Sequence, residues 1–157
     1  VLLGLSLFLT LLITQPLTRA IYDVAVQPYS RNEITLGSAA DRAAGPLRQF
    51  LLRFAREKDV RLFLEISKQP VPAKPSEVSL SVLMPAYVLS ELKTGFQIGA
   101  VLFLPFLIID LVAASVTLST GMVQLPPVMI AAPFKILLFV LVDGWNLVVG
   151  SLVRSFY

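Results

Sequence analysis

The chain has no cysteine and no histidine, and charged residues make up only 15% of its 157 positions. Without cysteine there is no disulfide framework and no thiol nucleophile. Without histidine, the Ser-His-Asp and Cys-His constellations and the usual zinc sites drop out as well. An ordinary soluble domain carries about 25% charged residues, so this chain has too few to cover a full surface with polar groups. A net charge of +3 gives no support to a nucleic-acid partner. What is there instead is apolar: 56% of the residues are hydrophobic and the mean hydropathy is +0.80. The composition is that of a membrane or membrane-derived protein, with no cofactor or metal expected.

The charges are unevenly placed. Residues 1–18 carry none, residues 19–93 carry eleven basic and eight acidic side chains, and the last 64 residues keep only Asp110, Lys135, Asp143 and Arg154. The chain is therefore apolar at both ends and polar in the middle. The opening run VLLGLSLFLTLLITQPL is long enough for a membrane span, which needs roughly 17–25 residues. It lacks a basic leader and a small-residue cleavage site, so it reads as a span whose upstream part is missing rather than as a signal peptide.

In the polar middle, Gln27 to Gly45 reads as turn-rich. Residues 46–68 read as one amphipathic helix or two short ones, with Pro46 in the first turn and Leu47, Phe50, Leu51 and Phe54 on one face. Leu62, Phe63 and Ile66 resume that stripe, and Arg48, Arg53, Arg56, Lys58 and Arg61 occupy the rest. Such a helix can lie on a membrane or pack its apolar face on its own domain. Residues 69–76, QPVPAKPS, hold three prolines and read as a linker. From Ser79 the composition is helical. One apolar run spans Phe96 to about Leu118, and another spans Val128 to Val153. The segment 119–127, which contains Gly121, Pro126 and Pro127, joins the two as a hairpin.

Asp110, Lys135 and Asp143 stand inside these apolar runs. A charge facing lipid at mid-membrane costs roughly 2.5–3.5 kcal/mol on insertion scales, so they are expected to face other subunits, a cavity or each other. Lys135 and Asp143 are eight residues apart, about 80° around an ideal helix and roughly 12 Å along it, too far for a direct pair. Lys135 therefore needs a carboxylate from another segment or chain, and Glu91 is the first choice. Asp143, beside Gly144 and Trp145, pairs elsewhere or marks a helix break. Pro105 and Pro133 are expected to kink the two helices or simply to shape the hairpin.

Two long stretches, PAYVLSELKTGFQIG (residues 85–99) and PFKILLFVLVDGW (residues 133–145), resemble the FliP family. That family belongs to the flagellar type III export gate and has injectisome relatives called SctR. The flanking IYDVAVQPYS, PLRQFLLR, FLPFLIIDLVAASV and GSLVRSFY are similar too, so the likeness covers essentially the whole chain. It implies an all-α, membrane-associated protein of helical hairpins with kinked helices, assembling into a helical ring. Its parts would be an apolar helix at 1–18, a polar, mainly extracytoplasmic helical region at 19–93, and an apolar hairpin at 94–157 with a gating loop at 119–127. The implied partners are further copies of itself in a pentamer-like ring, FliQ and FliR, and unfolded flagellar export substrates. The implied location is the flagellar basal body in the bacterial inner membrane. Export would draw on the proton-motive force and a separate ATPase, so no catalytic residue is implied.

The family's methionine-rich seal maps onto residues 122–124. Here Met122 is followed by Val123 and Gln124, so an apolar seal would rest on Met122, Val123 and Leu125, with Gln124 making it wetter or turned aside. Glu91 and Lys135 coincide with charged positions that the family uses between subunits. The competing readings are an ion-coupled transporter with Asp110 and Asp143 as relay groups, the equivalent injectisome subunit, and a membrane-anchored interaction domain centred on residues 46–68.

Overall fold

The computed structural model of the chain describes residues 1–121 and 126–157, and every regular element among them is helical. The chain divides into two compact units, Val1–Lys93 and Thr94–Tyr157.

The first unit opens with α1 (Leu2–Ile21), which continues through a π-helical turn at Tyr22–Val26 into α2 (Gln27–Ser30). These 29 residues form one helix long and apolar enough to cross a membrane. Its few polar side chains are made compatible with an apolar setting locally. The hydroxyls of Ser6, Thr10, Thr14 and Thr18 each donate to a backbone carbonyl three or four residues earlier, at Leu3, Ser6, Thr10 and Gln15. The π turn admits one extra residue and rotates the faces beyond it, and there Ala25 is buried.

Residues 27–45, expected to be turns, are largely helical. The turn is confined to residues 31–35, where Asn32 takes φ 58°, a left-handed conformation that asparagine tolerates well. Helix α3 (Leu36–Phe54) then starts at Thr35, whose hydroxyl accepts the Ser38 N–H at 3.4 Å. The alanines at 39, 40, 43 and 44 are strong helix formers and outweigh Gly37 and Gly45. Pro46 lies inside α3 rather than in its first turn. The residue before it is Gly45, which has no Cβ for the proline ring to strike, so the helix passes through.

Helix α4 (Glu57–Ile66) follows an extended corner at Ala55 and Arg56, so residues 46–68 contribute to two helices. It ends in a left-handed Lys68 (φ 53°), with Lys68 N–H on the Glu65 carbonyl and Gln69 N–H on the Leu64 carbonyl. Residues 69–74 are irregular, as Pro70 and Pro72 dictate, and a single 3-10 turn at Pro75–Glu77 leads to α5 (Leu80–Ser119). Most of the apolar stripe of α3 and α4 packs inward, whereas Leu62 and Ile66, expected on the same stripe, are 42% and 64% exposed. Leu51, Leu64, Val78, Val82 and Leu83 form one buried cluster, with Leu47, Phe50, Val60, Phe63 and Tyr87 against it. The amphipathic segment thus packs on its own domain.

Helix α5 is 40 residues long, about 60 Å, and is the second helix apolar enough to cross a membrane. Pro85 and Pro105 both sit within it without ending it. In the second unit, the end of α5 is followed by α6 (Pro127–Leu141) and α7 (Gly144–Arg154). The second apolar block is therefore broken in two, and α6 and α7 are bent by 60°. The break falls at Val142–Asp143, not at Pro133, which lies inside α6. With 15 and 11 residues, neither half reaches the roughly 20 that a lone membrane span requires.

Leu83 is fully buried at the centre of the first unit. Leu83→Ala should therefore lower stability by about 2–5 kcal/mol, seen as a lower thermal midpoint of the detergent-solubilised protein. Met84→Ala, one position along on an exposed face, should leave that midpoint nearly unchanged.

Candidate functional site

The hairpin of the second unit is held by a seam with a regular register. Lys135 Nζ on α6 donates to Asp110 Oδ2 on α5 at 2.7 Å and lies 2.7 Å from Oδ1. One turn away, the Phe106 and Phe139 rings meet at 6.5 Å between centroids. Stepping four residues back along α5 matches four forward along α6, as an antiparallel pair requires. On the other side of the ion pair, the small residues Ala113 and Ala131 are buried and let the two backbones approach. Both charged side chains are about a third exposed (34% for Asp110, 28% for Lys135), so the pair is shielded by protein without being sealed.

Within one chain, then, the carboxylate that meets Lys135 is Asp110 and not Glu91. The reason is register. Glu91 stands nineteen positions before Asp110 on α5, and the matching position counted forward from Lys135 lies beyond the end of α6. Glu91 is half-buried in the first unit. Its pairing with Lys135 of a neighbouring copy is a separate matter, taken up below.

Asp143 marks the helix break. It takes φ 50° and ψ 57°, is exposed, and stands at the N-terminus of α7, where its negative charge suits the helix dipole. The left-handed conformation costs an L residue roughly 1–2 kcal/mol, and a short polar side chain bears it best. Next to it, Gly144 is buried against the Phe139 ring, and a Cβ there would run into that ring. Phe139 also meets Trp145 edge-on, 5.7 Å between centroids and 86° between planes. Of the residues expected to shape the loop, Gly121 has φ 68°, while Pro126 precedes and Pro127 begins α6. The expected seal, Met122, Val123, Gln124 and Leu125, lies outside the described residues.

A second polar cluster had no counterpart among the expected sites. Asp59, 1% exposed in the first turn of α4, accepts from Lys93 Nζ at one oxygen and from Ser90 Oγ at the other, the latter at 2.8 Å. Ser90 Oγ in turn accepts the Arg56 N–H at 2.9 Å, which satisfies a backbone donor that the start of a helix leaves open. The Lys93 hydrogen bond, then that of Ser90 and the positive charges of Lys93 and Arg56, hold the Asp59 carboxyl below its ordinary value of 3.8, against the opposing effect of burial. Its sequence signal was faint: an acidic residue in a helix first turn, and Ser90 and Lys93 three apart on one helix face.

Asp59 and Asp110 are each held by a lysine, and among the described residues no group of acidic side chains is placed to hold a metal ion. The FliP family model matches residues 1–152.

The chain belongs to the FliP family.

It is 52% identical over its whole length to the flagellar biosynthetic protein FliP of Pectobacterium carotovorum subsp. carotovorum, covering 61% of that protein. To the protein of the same name from Bacillus subtilis (strain 168) it is 50% identical, over 99% of the chain and 71% of the relative. To that of Caulobacter vibrioides it is 48% identical, over 99% and 59%. The chain thus spans about three fifths of the Pectobacterium and Caulobacter proteins. Neither the family nor these relatives bear an enzyme's name.

Two outcomes follow for the polar clusters. Lys135→Met alone, which leaves Asp110 unpaired in an apolar seam, should cost about 1–3 kcal/mol after allowance for partial exposure. Pairing it with Asp110→Leu should restore most of that loss in a thermal-unfolding double-mutant cycle. The stability drawn from Asp59 is fully present above the ordinary carboxylate value of 3.8 and is lost as pH falls below it through the depressed folded value. Acid unfolding should therefore be less steep in Asp59→Asn, measured by circular dichroism between pH 5 and pH 2.

Proposed function

We propose that this chain is a structural and gating subunit of the flagellar type III protein-export channel, forming the export gate with FliQ and FliR. Membership of the FliP family carries the reading. The names of the relatives, flagellar biosynthetic proteins, favour the flagellum over an injectisome. The physical support is a chain with two helices able to cross a membrane and a third, broken pair. Its apolar surface is broad: along α5, Phe96, Val101, Ile108 and Leu111 are all more than 60% exposed. Side chains of this kind in this number need lipid or neighbouring subunits to cover them.

The subunits repeat head to tail in a pentamer-like ring, the closed form of a heterologous interface. Glu91 of one copy pairs with Lys135 of the next, alongside the internal bond of Lys135 to Asp110. Residues 19–93 lie largely on the extracytoplasmic side of the bacterial inner membrane, within the flagellar basal body. The loops between α5 and α6 converge on the axis. There the apolar side chains of Met122, Val123 and Leu125 supply the seal through which unfolded flagellar subunits pass. Gln124 turns aside or admits some water. The chemistry is passive, since no step requires a bond to be made.

The ion-coupled transporter fits less well. Asp110 is held by Lys135, and Asp143 is an exposed residue at the break before α7, so the two carboxylates do not form a relay within the helix pair.

Replacing both Met122 and Val123 with glycine in the full-length protein should raise small-ion leak across the inner membrane while flagellar export continues. Unchanged conductance would remove the seal from this loop. Charge reversal at Glu91 or Lys135 singly should abolish ring assembly. The double reversal, made together with Asp110→Lys so that the bond between positions 110 and 135 is kept, should recover it in part, read by native mass measurement of the purified complex.

A further inference from the structure

In the first unit, a groove of about 790 Å³ runs between α4 and the proline-rich stretch that follows it. That volume lies within the roughly 300–1,000 Å³ of ligand-binding clefts. Leu52, Ala55, Val60, Val71 and Pro72 give the groove apolar walls. Its charged lining comes from α4: Glu57, Arg61 and Glu65, one on each successive turn. Arg61 is bound to Glu57 at 2.5 Å. Glu65 is exposed and has no ion-pair partner among the described residues. The groove therefore keeps one uncompensated negative charge, in a chain whose net charge is +3.

The wall facing α4 is main chain with spare bonding capacity. Gln69 N–H closes the end of α4 on the Leu64 carbonyl, and Lys74 N–H is taken by Glu77 Oε2. Between them, Val71 and Ala73 keep N–H groups with no partner among the described residues, while Pro70 and Pro72 have none to offer. The carbonyls of residues 69–73 accept no backbone hydrogen bond among the described residues either. Five acceptors thus stand against two donors, and a free carboxylate lies across from them. What fills this groove must bring donors and positive charge.

We propose that the groove receives an extended segment of another polypeptide that carries both apolar and basic side chains. The segment lies along residues 69–73 as an added strand lies along a sheet edge, its N–H groups on their carbonyls. A basic side chain meets Glu65, and apolar ones cover Leu52, Val60 and Pro72. From Glu57 to Glu65 the helix rises about 12 Å, which four extended residues cover at roughly 3.3 Å each. A second copy of this chain fits less well: the N–H groups inside its helices are engaged, and its own linker brings the same surplus of acceptors. An anionic bilayer is repelled by Glu65. The inference concerns the first unit alone and is independent of the export reading.

The test is fluorescence anisotropy of a dye-labelled hexapeptide of alternating valine and arginine, titrated with the full-length protein in detergent. Binding should saturate and should weaken as salt is raised. The hexapeptide of alternating valine and glutamate should bind at least tenfold more weakly. Glu65→Arg should weaken the valine–arginine peptide about tenfold. Val71→Pro, which removes one of the two free N–H groups, should weaken it several-fold, with both variants keeping the parent's thermal midpoint. If Val71→Pro lowers that midpoint, Glu65→Arg decides the matter by itself. Equal binding of the two peptides, or an affinity that Glu65→Arg leaves unchanged, would overturn the proposal. So would absence of peptide binding together with a native mass that Glu65→Arg alters, since the groove would then belong to a contact between copies.

Discussion

The second unit depends on one constraint: a charge inside an apolar helix pair must be neutralised by another charge, because neither lipid nor packed side chains can solvate it. Asp110 and Lys135 meet that demand for each other. Because each sits at a single position on its helix, their bond also fixes how far α5 and α6 slide past one another. Leucines would pack in several registers. An ion pair is satisfied in one. That register brings Phe106 onto Phe139, and Phe139 is in turn the ring on which the break between α6 and α7 closes. The connection runs from a solvation requirement to a helix register, and from there to the shape of the unit's C-terminal arm.

The first unit solves a related problem differently. Its core is apolar and drawn from α3, α4, α5 and the segment before α5. An extended corner at Ala55 and Arg56 leaves the start of α4 with open backbone donors. Ser90 and Asp59 close this gap, and Lys93 neutralises the carboxylate. A buried polar knot of this kind is worth little as net stabilisation, but it penalises every arrangement in which α4 starts elsewhere. Both units therefore use a lysine–carboxylate pair chiefly as a positional device.

Broad apolar exposure in a single copy agrees with membership of the FliP family and with the ring proposed for it. High hydropathy reports that water must be excluded from α1, α5 and α6, and both lipid and protein neighbours exclude it.

The sequence by itself determined the all-α class, the apolar hairpin, the proline linker and the family, since these rest on composition, periodicity and long runs of particular residues. It also determined that Lys135 needs a carboxylate, because solvation acts locally, and left Asp143 either paired elsewhere or at a helix break. Only the tertiary structure decided that the carboxylate is Asp110. The choice depends on a register set by packing along the whole seam, to which no single residue testifies. It also decided that Pro46 rides inside a helix and that residues 36–45 are helical, where a capping threonine and four alanines outweigh the usual breakers. Asp59, Ser90 and Lys93 were least legible of all: more than thirty positions separate Asp59 from Lys93, and each residue has an ordinary surface role until the chain brings them together.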